Sequence, residues 1–218
     1  MNFLAHCLLA ARAADYHDDE LVAGGILGDF WKGAVPDYWT PGLQTGVRLH
    51  RRIDAVSNRH AQIRQSCARF PASIRRYAPI LVDIHADLVL ANRWSAHCSA
   101  PLQRFADACY SSITTLHVVP GGVSEDTLRF TGYLQERNLL NLYGTWEGVE
   151  LCIRSVARRL NDMSFSAAAF ETCQELNASL SEDFDAFFPD LLTEAREFVS
   201  AEQSGAALIR AERFRAEQ

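Results

Sequence analysis

The chain has 218 residues, 48% of them apolar and 22% charged, and a net charge of −6. That composition belongs to a folded globular protein with a sizeable core and excludes a disordered chain. The acidic balance argues against general nucleic-acid binding, and no apolar run approaches the ~18–20 residues of a membrane span.

The pattern is helical nearly throughout. FLAHCLLAARAA, from Phe3, is apolar all round and predicts a buried first helix. It lacks a basic flank and carries His6 inside the apolar run, so it does not read as a secretion signal. ELVAGGILGDFWKG predicts a second helix, ended by Gly33 and Pro36. From Thr40 to Phe70 the pattern predicts one long helix, or two joined near Asn58, with Pro41 in the first turn. Pro71 stops it. SIRRYAPILVDIHADLVLANRW follows, with Ser73 as a cap and Pro79 kinking or restarting the helix. PLQRFADACYSSITTLH precedes the turn VVPGG. VSEDTLRFTGYLQERNLLNLY then opens on Ser124, Glu125 and Asp126, good first-turn chemistry. TWEGVELCIRSVARRL, FSAAAFETCQELNASLSEDFDAFFPDL and LLTEAREFVSAEQSGAALIRAERF complete the chain. No alternating strand pattern and no internal repeat occurs. The expectation is an all-α single domain, residues 1–218, of seven to nine helices, with a charged end fraying near 211–218.

Six cysteines stand at positions 7, 67, 98, 109, 152 and 173, and none forms a C-x-x-C pair. Zinc-ribbon and thioredoxin-like readings therefore fail. Free thiols among apolar residues point to a reduced, cytoplasmic protein.

Charge is unevenly distributed. Between Arg48 and Arg76 eight arginines stand against one acid, Asp54, so the rest of the chain carries more than the whole net negative charge. The chain's one lysine, Lys32, shows a coding preference for arginine. That preference does not explain why acids avoid this stretch. Residues 48–76 are expected to form a basic surface for an acidic partner or a phosphate, through Arg48, Arg51, Arg52, Arg59, Arg75 and Arg76.

Residues four apart share a helix face. His50 and Asp54 form one such pair, and Asp83 and Asp87 another, the latter in an otherwise apolar helix. Buried aspartates need partners or must neutralise, and two on one face repel, so a cation is an economical solution. Asp29 poses the same problem after Gly24, Gly25 and Gly28, which would let another backbone approach closely. His6 is a single polar group in a buried helix. Each has a plainer reading: a satisfied core histidine for His6, a pair with Lys32 for Asp29, an intrahelical hydrogen bond for His50 and Asp54, arginine partners for Asp83 and Asp87. Taken together within residues 1–95, these side chains suit a divalent ion such as Mn²⁺ or Mg²⁺. No G-x-S-x-G, P-loop or dinucleotide fingerprint occurs. Trp94, Trp146, Phe187 and Phe188 read as core aromatics, while Tyr133, Arg137 and Asn138 could line a pocket.

MNFLAH, LGDFWKG, GVRLHRRIDAVSNRH and RRYAPILVDIHADLVLANRW, in this order and spacing, resemble the acyl carrier protein phosphodiesterase family. The likeness is dense to about residue 95 and weaker beyond, where YLQERNLLNLYGTWEGVELCIRSVARRL and FFPDLL still fit. It implies an HD-domain-like helical bundle and a Mn²⁺-favouring hydrolase of the phosphodiester that joins 4′-phosphopantetheine to acyl carrier protein, in fatty acid and lipid metabolism. It also places His6, Asp29, His50, Asp83 and Asp87 on a metal, and Asp29, His50, Asp54 and Asp83 in catalysis. Lys32 and the arginines of the belt would meet phosphate or the acidic carrier protein, with no nucleic acid or membrane as partner. Leu8, Leu88 and Arg93 stand where the family has histidines, and Asn58 where an aspartate is common. These departures keep two alternatives open: an impaired relative that binds carrier protein or a phosphopantetheine-like ligand, and a phosphohydrolase acting on another small phosphate ester.

Overall fold

The computed structural model describes residues 2–14, 18–119 and 121–216; the side chains of residue 118 and of 206–216 lie outside that description. The described residues form twelve α-helices and no strand. The count exceeds seven to nine in part because two single-turn helices, α6 (Trp94–His97) and α9 (Leu139–Leu142), follow breaks in longer patterns; the ten longer helices still number one more than expected. The second break is Asn138, whose φ of 49° ends α8 (Glu125–Glu136). Of the end expected to fray near 211–218, residues 211–216 continue α12, and the rest lies outside the described residues.

Helix α1 (Phe3–Ala13) runs through the centre, with eight of its eleven residues buried. It packs on α2 (Asp19–Leu27), α3 (Pro41–Ser57), α5 (Ala78–Asn92) and α12 (Asn177–Ala216). The arm from Thr40 divides at Asn58 into α3 and α4 (Ala61–Ala68). Pro79 restarts a helix: α5 begins at Ala78 behind a 3-10 turn, so Ser73 caps nothing. α7 (Leu102–Ile113), α10 (Trp146–Arg159) and α11 (Ser166–Glu175) complete the set.

Two local devices set the geometry. Helix α2 stops at Leu27, earlier than Gly33, and Asp29 stands in the turn after it. Its crossing with α3 is made on glycine: a Cβ on Gly24 would lie 2.6 Å from the Leu43 carbonyl oxygen, and one on Gly46 2.4 Å from that of Leu21. Only glycine permits backbones this close. The second device caps α1. Asp87, fully buried on α5, accepts the backbone N–H groups of Leu4 and Ala5, each at 2.9 Å. A carboxylate on two N-terminal amides satisfies donors that the helix cannot.

The arginine belt finds the missing acids on α12. Arg48 pairs with Glu202, Arg52 with Glu194 and His60 with Asp190. Asp183, 3% exposed, accepts from Arg69, Ser66 and Gln62. Arg76 pairs with Asp162, while Arg51 and Arg75 donate to backbone carbonyls. The charge asymmetry of the sequence is thus largely balanced inside the fold. Six free cysteines remain, as composition predicts. Among the described residues no helix is long and apolar enough to cross a membrane.

Candidate metal centre and its cavity

Two helices and a turn meet at one point. His6 comes from α1, His50 and Asp54 from α3, and their ligand atoms lie within 4.8 Å of one another. His6 Nε2 is 3.2 Å from Asp54 Oδ1, and His50 Nε2 is 3.3 Å from Asp54 Oδ2. The two imidazoles stack with centroids 3.8 Å apart. Asp29, delivered by the turn after α2, places Oδ1 3.7 Å from His50 Nε2.

The tautomer of His50 follows from its neighbour. Nδ1 lies 2.7 Å from the Gly25 carbonyl oxygen, which can only accept, so Nδ1 carries a proton. In the neutral ring Nε2 then presents a lone pair to the carboxylates. Gly28 makes room for this ring: a Cβ there would lie 2.3 Å from His50 Cγ. Burial, then the nearby His50, lowers the pKa of His6 to about 3, so His6 is neutral at physiological pH. Burial raises the Asp54 carboxyl, but its contacts with the two histidines outweigh it and bring it well below the ordinary carboxylate value.

Two imidazoles and a carboxylate converging with a carbonyl-fixed tautomer form a donor set that fits a divalent cation. The histidines are buried, while Asp54 and Asp29 are 41% and 39% exposed, so the centre opens to solvent on its carboxylate side.

That side faces a cavity of about 580 Å³. Asp29, Asp54 and Asp83 line it with Phe3, Phe30 and Phe130, and Arg158 and Arg159 of α10 line it too. Burial raises the pKa of Asp83, and the charges of Asp54 and Asp29 add to that. Two polar atoms of the lining stand out. Ser57 Oγ and Asn2 Nδ2 are buried without a hydrogen-bond partner among the described residues, apart from the weak thiol acceptor Cys152 near Asn2. A helical serine ordinarily bonds back to its own backbone; Ser57 does not.

The expected residues therefore separate. His6, Asp29, His50 and Asp54 come together, and Asp83 lines the same cavity. Asp87 is occupied at the α1 N-terminus, and burial pushes its pKa up to about 7. Lys32 is exposed with no ion pair to Asp29 among the described residues. Arg51 holds the turn carrying Asp29, through the Trp31 and Gly33 carbonyls. Tyr133 lines the cavity, whereas Arg137 and Asn138 do not. Arg158, Arg159, Ser57 and Asn2 were not predicted from the sequence; nothing in local spacing ties them to His50. Leu8 and Leu88 are core residues, Arg93 pairs with Asp185, and none of the three lines the cavity. His85 is held by Asn177 and likewise stands outside it.

A model of the family described as acyl carrier protein phosphodiesterase matches residues 1–191. The chain is similar to acyl carrier protein phosphodiesterases from Escherichia coli O157:H7 (26% identical over 196 residues), Shigella boydii serotype 18 (28% over 199) and Salmonella newport (27% over 202). Each match covers 89% of this chain and 97% of the relative. No solved structure matches the chain significantly.

Proposed function

The chain belongs to the acyl carrier protein phosphodiesterase family, and from that premise we propose that it releases 4′-phosphopantetheine from holo-acyl carrier protein by metal-dependent hydrolysis. The observation that carries this reading is the convergence of His6, His50 and Asp54 at the wall of a cavity large enough for a flexible arm. His6, His50 and Asp54 would hold the ion, with Asp29 beside them. A divalent cation there, Mn²⁺ or Mg²⁺, supplies a Lewis acid that acidifies water and offsets phosphoryl charge.

The chain's own residues do the rest. The Gly25 carbonyl keeps the His50 lone pair directed at the centre. Asp83, with its raised pKa, is placed to exchange a proton with water or the leaving oxygen. Ser57 Oγ and Asn2 Nδ2 donate to phosphoryl oxygens, which gives Ser57 an acceptor and Asn2 a stronger one than the Cys152 thiol. Phe3, Phe30 and Phe130 form an apolar wall for the arm. Water adds to phosphorus, the bond to the carrier serine oxygen breaks, and that oxygen leaves protonated.

The impaired-relative alternative rests on Leu8, Leu88 and Arg93, of which the two leucines pack in the core and Arg93 pairs with Asp185.

The test is mass spectrometry of holo-acyl carrier protein incubated with the purified enzyme plus Mn²⁺, Mg²⁺ or chelator. Loss of the phosphopantetheine mass with metal and none with chelator is expected. Binding without release would favour the impaired relative. Turnover of small phosphodiesters alone would favour a different phosphate ester.

A further inference from the structure

This inference rests on the carrier-protein reading above and concerns where that protein docks. The arginines of residues 48–76 are largely engaged by α12, Asp162 and backbone carbonyls. The cavity's α10 wall differs. Arg158 and Arg159 are exposed, both line the cavity, and neither has an ion pair among the described residues. Leu160 and Met163 follow at once in the chain, 49% and 45% exposed. Tyr133, 40% exposed, lines the same cavity from α8. Among the described residues only one other large apolar side chain, Tyr38, is as exposed.

We propose that the C-terminal end of α10, Arg158 and Arg159 with Leu160, Met163 and Tyr133, is the docking surface for the acidic carrier protein. Unpaired cations attract and orient an acidic partner, and exposed apolar side chains beside them give a contact that excludes water. Because the same two arginines line the cavity, a partner held there delivers its arm directly towards Asp29, Asp54 and Asp83. Arginines in a last helical turn also offset the helix dipole; that role alone would lower Tm and leave KM untouched.

The test compares Arg158→Glu/Arg159→Glu with Arg52→Glu in steady-state kinetics with Mn²⁺, on holo-acyl carrier protein and on bis(p-nitrophenyl) phosphate. The double variant should raise KM for the carrier protein about tenfold or more, with a several-fold smaller change for the small diester. Arg52→Glu should change carrier-protein KM less than about twofold. An unchanged carrier-protein KM in the double variant, or equal loss on both substrates, overturns the proposal. If the wild type hydrolyses neither substrate, the functional reading fails, and calorimetric binding of holo-acyl carrier protein decides the surface. Binding lost in the double variant upholds it. Binding retained there, or absent from the wild type while an oligonucleotide binds, overturns it.

Discussion

Helix α3 carries two kinds of charge on two faces. One face holds His50 and Asp54 with Ser57 near its end, all turned to the cavity side. The other holds Arg48 and Arg52, paired with Glu202 and Glu194 of α12. In sequence the two sets alternate and look like one constellation. In the fold the first converges on a centre that a cation would complete, and the second closes against α12. Charge density along a chain does not reveal use; the partner across the gap does.

The largest effect should come from breaking the first face. Asp54→Ala removes the carboxylate that both histidines share. Phosphopantetheine release should fall by roughly 10²–10³, with bound Mn²⁺ lost in parallel, as measured by single-turnover kinetics and metal analysis. Gly28→Ala tests the same face through its neighbour. The new methyl displaces His50, so turnover should drop by about 10²-fold and stability by about 1–3 kcal/mol in urea melts.

The α12 surface that closes the second face also holds the α4 segment, through one buried acid, Asp183. Asp183→Asn removes the charge and turns one of two accepting oxygens into an NH₂ that faces the donors of Arg69, Ser66 or Gln62, and should cost about 2–4 kcal/mol at pH 7. Burial alone would raise the Asp183 pKa, but its hydrogen bonds, with Arg69 foremost, bring it below the ordinary carboxylate value. Its contribution is therefore complete above about pH 4 and is lost as pH falls through the native pKa. The stability gap between wild type and Asp183→Asn should narrow accordingly in melts taken from pH 5 down to pH 2.5. The smallest effect belongs to Arg52→Glu. Its pair with Glu194 is half exposed, so the change should stay within about 1 kcal/mol and leave turnover nearly constant.

Much was legible without coordinates. Apolar periodicity and Pro41, Pro71 and Pro79 located the helices, because local sterics and burial act over a few residues. His50 and Asp54 were legible as a pair, because four residues on a helix make one face. Asp83 and Asp87 obeyed the same rule and still parted: Asp83 lines the cavity, while Asp87 caps α1, more than eighty residues away in sequence. The acids that hold the arginine belt lie 86 to 154 residues from their partners. Ser57 became a candidate only once its hydroxyl proved buried without a partner among the described residues, and Arg158 and Arg159 only once α10 closed the cavity. The sequence by itself determined the helices, their faces and the residue types able to hold a cation. Which of those residues meet was decided by tertiary structure, because contact between helices depends on packing across long separations that local periodicity does not encode.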